Sequence, residues 1–149
     1  MSEIIDKLIK LLDALLIKLK VSSSSLITED GLVIATNSQQ NEEEIDVRTN
    51  FAAISASILS MAERGIEIIN ANKILNQIKI DAGLSQDIDE NFTVLITRAY
   101  SNILLQIIFP KRLNIGLIHF EVNNTIKEIN KLTQQINTEE LLESIGSLL

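Results

Sequence analysis

An Asp-Gly pair between two β-branched segments is the feature that most constrains how this chain can fold. Asp30 and Gly31 lie within the segment ITEDGLVIATN, residues 27–37. Both residues tolerate the positive φ that a tight primed turn requires, and the flanking Ile and Val residues favour strands. The segment therefore predicts a β-hairpin with strands at residues 21–28 and 32–37. Serine is a poor strand former, so the run at residues 22–25 fits either the first strand or a loose approach to it.

Helical periodicity is present in three longer segments and one short one. Apolar residues recur at intervals of three and four over residues 2–20, 46–70 and 113–133, which is the spacing of an amphipathic helix. A fourth pattern begins at Asn137 or Thr138, either of which suits a helix N-cap, and it carries apolar residues as far as Leu148. Mixed charge on the polar side of the first segment favours packing within the fold over binding to a membrane surface. We therefore expect three helices and a short C-terminal helix.

Three further strands are predicted between the second and third long helices. Residues 74–82, 92–100 and 103–109 are rich in Ile, Leu and other strand-forming residues. Pro110 has no backbone N–H to donate to a sheet and is expected to end the last strand. The acidic segment at residues 83–91 lacks the glycine and closing glutamate of a calcium-binding loop, so an exposed loop without a metal is expected. The predicted order is α-β-β-α-β-β-β-α at residues 1–133, with a helical extension at residues 134–149.

The second long helix has two contrasting faces. At 100° per residue, seven apolar side chains share one broad face: Phe51, Ile54, Ile58, Met61, Ala62, Ile66 and Ile69. The opposite face carries small residues followed by charged ones: Ala53, Ala56, Ser57, Ser60, Glu63, Arg64 and Glu67. Small side chains let another backbone approach closely, but Ala and Ser are also common on solvent-facing helix surfaces. The pattern alone leaves both interpretations open.

The composition narrows the classes of partner and the compartment. With 20 acidic and 13 basic residues, the chain has a net charge of -7, which repels phosphate backbones and argues against a nucleic-acid partner. No cysteine is present, which excludes disulfides and suits a reducing cytoplasm. Charges interrupt the apolar stretches well short of the ~20 residues of a membrane-spanning helix, and the N-terminus lacks a signal-peptide pattern. We expect a cytoplasmic protein without an integral membrane segment, and peripheral membrane association stays open.

Groups that could carry out catalysis are scarce. His119 is the single histidine, and no serine or carboxylate motif accompanies it. The phosphate-binding pattern GxxxxGK[ST] is absent, so the chain is not expected to hydrolyse nucleotides itself. Any arginine could stabilise transition-state charge in a partner GTPase, but a lone surface arginine is usually a solubilising charge, and this interpretation is favoured for each of the four: Arg48, Arg64, Arg98 and Arg112. We therefore predict a protein that is not an enzyme and that uses no metal or cofactor.

Three sequence features, together with the order of elements, resemble the Roadblock family of dynein light chains and small-GTPase regulators. They are the hairpin segment DGLVIA at residues 30–35, the helix rich in small residues at 51–62, and the segment LNIGL at 113–117, where the third long helix begins. The resemblance covers residues 8–132. The acidic loop and the tail after residue 133 depart from the family pattern, and the loop leaves the strand register open.

The resemblance implies a fold and two surfaces. The fold is α+β, a five-stranded antiparallel sheet with the second helix on one face and the first and third helices on the other. Two copies of the family's domain pair through the strand after the second helix, here residues 74–82, and through their second helices. The implied dimer-interface residues on that strand are Ile74, Asn76, Gln77, Ile78 and Ile80. The implied partner-binding residues on the paired helices are Ala53, Ala56, Ser57, Ser60, Glu63, Arg64 and Glu67.

The function that the resemblance implies is that of a non-enzymatic platform. It implies a homodimer, with a heterodimer left open, that binds and regulates a Ras-like small GTPase through shape and charge complementarity. Two other functions stay open. One is a scaffold subunit of a larger dynein-like or membrane-tethering complex, and the other is a domain that senses a small ligand. The sequence shows no cluster of polar groups suited to a ligand pocket, which places the sensor last.

Overall fold

The computed structural model describes residues 3–21, 23–38, 42–83 and 91–134. In chain order these residues form α1 (Glu3–Leu19), β1 (Ser23–Thr28), β2 (Val33–Thr36), α2 (Glu42–Ile69), β3 (Gln77–Ala82), β4 (Phe92–Tyr100), β5 (Ile103–Pro110) and α3 (Ile115–Thr133). This is the predicted order, and it confirms the α+β class. Residues 84–90 of the predicted acidic loop and the predicted C-terminal helix lie outside the described residues. No helix in the described part of the chain is long and apolar enough to cross a bilayer.

The five strands form one antiparallel sheet in the order β2-β1-β5-β4-β3. β5 lies at the centre between β1 and β4, and β2 and β3 form the two edges. β2 pairs with β1 across the predicted turn at residues 30–31, which confirms the hairpin. At the other edge, and among the described residues, β3 pairs with β4 alone, from Gln77↔Thr97 to Ala82↔Phe92.

Side chains alternate between the two faces of the sheet and build two apolar clusters. On one face, Leu26, Leu95 and Leu105 are buried in a cluster that includes residues of α1 and α3. On the other face, Ile27 and Leu104 are buried in a cluster that includes residues of α2. Helices therefore cover the sheet on both sides, α2 on one face and α1 with α3 on the other, as the family resemblance implies.

Three of the four residues of the serine run at residues 22–25 lie in β1, which begins at Ser23. Ser23, Ser24 and Ser25 are all buried. The hydroxyl of Ser24 donates a hydrogen bond to the carbonyl of Leu12 in α1 at 3.0 Å. The hydroxyl of Ser25 donates to Oγ1 of Thr36 in β2 at 3.2 Å. These small side chains let α1 pack close to the sheet and give two of the three hydroxyls a partner, so the tertiary contacts outweigh the poor strand propensity of serine.

α2 rests on the sheet through a narrow stripe of mostly small side chains. Ala52, Ser55, Ala56 and Leu59 are each at most 6% exposed, and the hydroxyl of Ser55 donates to Oε1 of Gln106 at 2.5 Å. Neither of the two predicted faces is centred on the sheet, because this stripe lies between them. Ala56, one of the predicted partner-binding residues, is only 6% exposed, although it borders the depression between α2 and the hairpin turn. Its side chain is buried because the helix comes close to the sheet at this point and a small side chain allows the approach.

Two element boundaries differ from the predicted ones. α2 begins at Glu42 rather than at residue 46. β3 begins at Gln77 rather than at residue 74, so Ile74 and Asn76, both predicted on the strand, precede it. The guanidinium of Arg98 donates to the Leu75 carbonyl from Nε and Nη2, both at 3.3 Å. A side chain therefore holds this carbonyl, and the strand starts after it.

Candidate functional site

The turn between β1 and β2 lies against one flank of α2. Gly31 has a φ of +90°, and a Cβ at this position would lie 2.9 Å from the Cα of Ala53. Glycine is therefore required both for the turn and for the close approach of the helix. The turn brings Glu29 and Asp30 beside Ser60, where they line a shallow depression. Sequence reasoning missed this second element of the docking face, because no local pattern relates the turn to α2.

We call the exposed polar flank of α2 the platform, formed by Ala53, Ser57, Ser60, Glu63, Arg64 and Glu67. The structure places these predicted residues on one side of the helix, and all are exposed except Glu63, which is half-buried. The hydroxyl of Ser57 donates to the carbonyl of Ala53 at 3.1 Å, so its donor is used within the helix. The first half of the platform therefore has short, uncharged side chains, and the charged side chains lie in its second half.

Arg98 joins three segments at the charged end of the platform. Its guanidinium forms ion pairs with Glu29 in the hairpin turn and with Glu63 in α2, and it donates to the carbonyl of Ser101 at 2.6 Å. The side chain of Arg98 is only 16% exposed, so the interpretation of this residue as an ordinary solubilising charge is wrong. A largely buried guanidinium with two carboxylate partners is held more firmly than a surface ion pair. Arg98 thus fixes the hairpin turn relative to α2.

The other flank of α2 is apolar and partly exposed. We call Phe51, Ile54 and Ile58 the apolar flank. Ile54 is 53% exposed, whereas Phe51 and Ile58 are half-buried and Phe51 packs against the cluster under α2. Farther along the helix, Ile69 is 81% exposed. A patch of exposed side chains of this size is typical of a surface that contacts another protein.

β3 is an edge strand with unpaired backbone groups. The N–H of Arg98 donates to the carbonyl of Asn76 at 2.8 Å, and this bond sets the antiparallel alternation along the strand. Alternate residues then direct their N–H and C=O groups away from β4, toward the open edge: Gln77, Lys79 and Asp81. Such a row of free groups is a template for pairing with another strand.

The predicted interface residues occupy different positions around this edge. Gln77 is exposed and carries outward backbone groups, whereas Ile78 and Ile80 are half-buried and pack at the margin of the cluster under α2. Ile74 is 71% exposed and Asn76 is also exposed, and both precede the strand. The structure therefore places all five at or beside the β3 edge, although only three lie on the strand itself.

The remaining surfaces suit contact with a macromolecule. Within residues 3–21, 23–38, 42–83 and 91–134, no group of three or more His, Cys, Asp and Glu side chains is placed to hold a metal ion. His119 is half-buried on α3, on the face of the sheet opposite α2. The platform and its border are shallow, and a shallow surface recognises a partner by complementary shape and charge rather than by enclosing it.

Three solved structures resemble this fold over nearly their whole length. A Roadblock/LC7 domain from Streptomyces avermitilis has a TM-score of 0.68 and 15% identity, covering 84% of this chain and 96% of that domain. Myxococcus xanthus MglB has a TM-score of 0.70 and 18% identity, covering 87% and 97%. The gliding protein MglB from Thermus thermophilus has a TM-score of 0.71 and 11% identity, covering 91% and 95%.

Sequence comparison adds nothing to this structural likeness. No family model matches the chain, and no curated protein does. At identities of 11% to 18%, the similarity establishes a common fold. The chain has the Roadblock/LC7 fold, which confirms at the level of fold the resemblance drawn from its hairpin, its second helix and the start of its third helix.

Proposed function

From the Roadblock/LC7 fold as premise, we propose that this chain is a cytoplasmic, non-enzymatic homodimer that binds and regulates a Ras-like small GTPase. One observation carries the proposal: in the described part of the chain, α2 leaves two surfaces exposed, and they differ in chemistry. The apolar flank exposes Ile54, and the platform lies beside the hairpin turn. The sequence resemblance assigns the β3 strand and the second helices to self-association and the platform to GTPase docking, and we propose that the apolar flank takes part in self-association.

Self-association accounts for the exposed apolar groups and for the free strand edge together. A second copy at β3 would satisfy the outward backbone groups of that strand and cover Ile54 and Ile74, which are 53% and 71% exposed. A two-fold arrangement uses the same patch on both copies, so one surface is sufficient to build the dimer. Each copy would then present its platform outward, bordered by its own hairpin turn.

GTPase docking on the platform would depend on shape and charge. The platform contributes no group for covalent chemistry, so regulation would act by positioning the loops of the GTPase itself. Asp30 borders the platform and Glu67 adds a negative charge on the helix, whereas Glu29 and Glu63 are paired with Arg98. We therefore propose that the contacting surface of the GTPase carries positive charge near this border.

Two substitutions test the platform, Ser57→Arg and Ser60→Arg. Each puts a long charged side chain on a surface of small residues, so we expect loss of GTPase binding with the fold and the dimer mass unchanged. Binding is measured as retention of purified Ras-like GTPases loaded with GDP or a non-hydrolysable GTP analogue. The matched control is Asn123→Arg, at an exposed position on α3 across the sheet, which should bind as the parent does. Unchanged affinity in both platform variants would exclude this face.

A further inference from the structure

The outer margin of β3 carries one positive and one negative charge two residues apart. Lys79 and Asp81 lie on the same side of the strand, with Nζ and Oδ2 4.0 Å apart, and their side chains are 45% and 44% exposed. Both residues also direct their backbone groups toward the open edge. Whatever strand pairs here must therefore accommodate a cation and an anion at adjacent positions of one face.

Asp81 is held in its charged form. The hydroxyl of Thr93, on the neighbouring strand β4, donates to Oδ1 of Asp81 at 2.7 Å. This hydrogen bond, followed by the charges of Lys79 and Lys111, lowers the pKa of Asp81 below its usual 3.8. The position of the carboxylate is fixed by a partner within its own sheet, so its charge is available at the edge at neutral pH.

We infer that two copies of this chain pair β3 to β3 in the antiparallel register centred on Ile80, with Lys79 of each copy opposite Asp81 of the other. The inference rests on the proposed homodimer and adds its register. When a two-fold axis relates two antiparallel copies of one strand, the numbers of any two residues that face each other add up to the same value. The register centred on Ile80 brings each cation against an anion, and this contact forms twice because of the two-fold symmetry.

Neighbouring registers lack this complementarity. A pairing centred on Lys79 sets the two Lys79 side chains directly opposite one another, which is destabilising. A pairing centred on Ile78 sets Lys79 against Gln77, which is neutral, and gives Asp81 no cation across the interface. In each of these registers the outward-facing backbone groups of one strand meet those of the other, so all of them allow backbone hydrogen bonds. The side-chain pairs therefore determine which register is most stable. The strand edge is complementary to itself in one register, which indicates a second copy as its occupant.

Charge reversal gives the first test of the register. Lys79→Glu alone or Asp81→Lys alone sets like charges opposite each other twice, and we expect each homodimer to be about tenfold weaker at low ionic strength. An equimolar mixture of the two single variants should recover the parent affinity as a heterodimer, because every facing pair then joins an acidic side chain to a basic one. The chain carrying both substitutions should dimerise as the parent does. Lys10→Glu, at an exposed position on α1, controls for net charge.

Cysteine cross-linking gives the second test, and the chain contains no native cysteine to interfere. In the inferred register the two Ile80 residues form a non-hydrogen-bonded pair with Cα atoms roughly 4.5 Å apart, a distance that a disulfide spans. Ile80→Cys should therefore form a cross-linked dimer under mild oxidation, and Ile78→Cys should not. Cross-linking at position 78 but not at position 80, or no heterodimer in the mixture, would overturn the register. A parent protein that is monomeric by light scattering would instead overturn the proposed homodimer.

Discussion

At the scale of single residues, Arg98 shows that the role of an arginine depends on which side chains surround it in the fold. Its carboxylate partners, Glu29 and Glu63, are separated from it in the sequence by 69 and 35 positions. No local pattern links the three, so the sequence leaves Arg98 looking like any other arginine. Ala56 is a similar case, because small residues suit both a solvent face and a close packing contact. Side-chain partners of this kind become visible only when distant segments are brought together.

Arg98→Met tests whether this arginine fixes the hairpin turn to α2. The substitution keeps most of the side-chain length and removes the charge, which leaves the two carboxylates and the Leu75 carbonyl without their donor. We expect the free energy of unfolding to fall by about 2 kcal/mol, measured by urea denaturation. Arg112→Met removes an exposed arginine beyond the end of β5 and should change stability by less than about 0.5 kcal/mol. Equal effects of the two substitutions would contradict the proposed role.

At the scale of elements, local patterns predicted the kind and order of segments but not their contacts. The Asp-Gly turn and the helical periodicities depend on neighbouring residues, and the structure contains the hairpin and all three long helices where they were expected. The start of β3 and the packed stripe of α2 depend on distant groups. Arg98 holds the carbonyl of Leu75, and Gln106 receives the hydroxyl of Ser55. The element boundary and the helix orientation were accordingly missed.

Two glycine substitutions separate a required glycine from a replaceable one. Gly31→Ala should lower the free energy of unfolding by about 1–3 kcal/mol, because the residue has a positive φ and its new methyl group would meet the backbone of Ala53. Gly65→Ala, in an exposed part of α2 with no atom within 4 Å of the added methyl group, should raise it by about 0.5–1 kcal/mol. Thermal or urea unfolding measures both. A stable Gly31→Ala protein would show that the turn does not rest firmly on α2.

At the scale of the whole molecule, α2 and the segment before β3 leave large apolar side chains exposed. Ile54 and Ile69 on the helix are 53% and 81% exposed, Ile74 is 71% exposed, and β3 forms an edge of the sheet. Sequence reasoning identified the edge strand through family resemblance. It could not show which apolar side chains of α2 remain exposed, because this depends on how the helix rests on the sheet.

Ile54→Asp tests this exposed apolar surface as a dimer interface. We expect the parent to have a mass near twice 16.6 kDa by light scattering and an unfolding temperature that rises with protein concentration. The substitution should abolish both properties with little effect on the monomer fold, because Ile54 is already 53% exposed. Ile17→Asp, at a 77% exposed position on α1, is the matched control and should leave the dimer intact. Loss of the dimer in the control alone would place the interface on the opposite face.

The narrow stripe through which α2 touches its own sheet has an evolutionary consequence. The fully buried contacts come from Ala52, Ser55, Ala56 and Leu59, while Ala53, Ile54, Ser57 and Ser60 on the two flanks are exposed. Substitutions on either flank would therefore alter which protein is recognised at little cost to the stability of the domain. After gene duplication, two descendants could keep one architecture and drift apart in partner choice. A self-pairing protein could in this way give rise to mixed assemblies through a few surface changes.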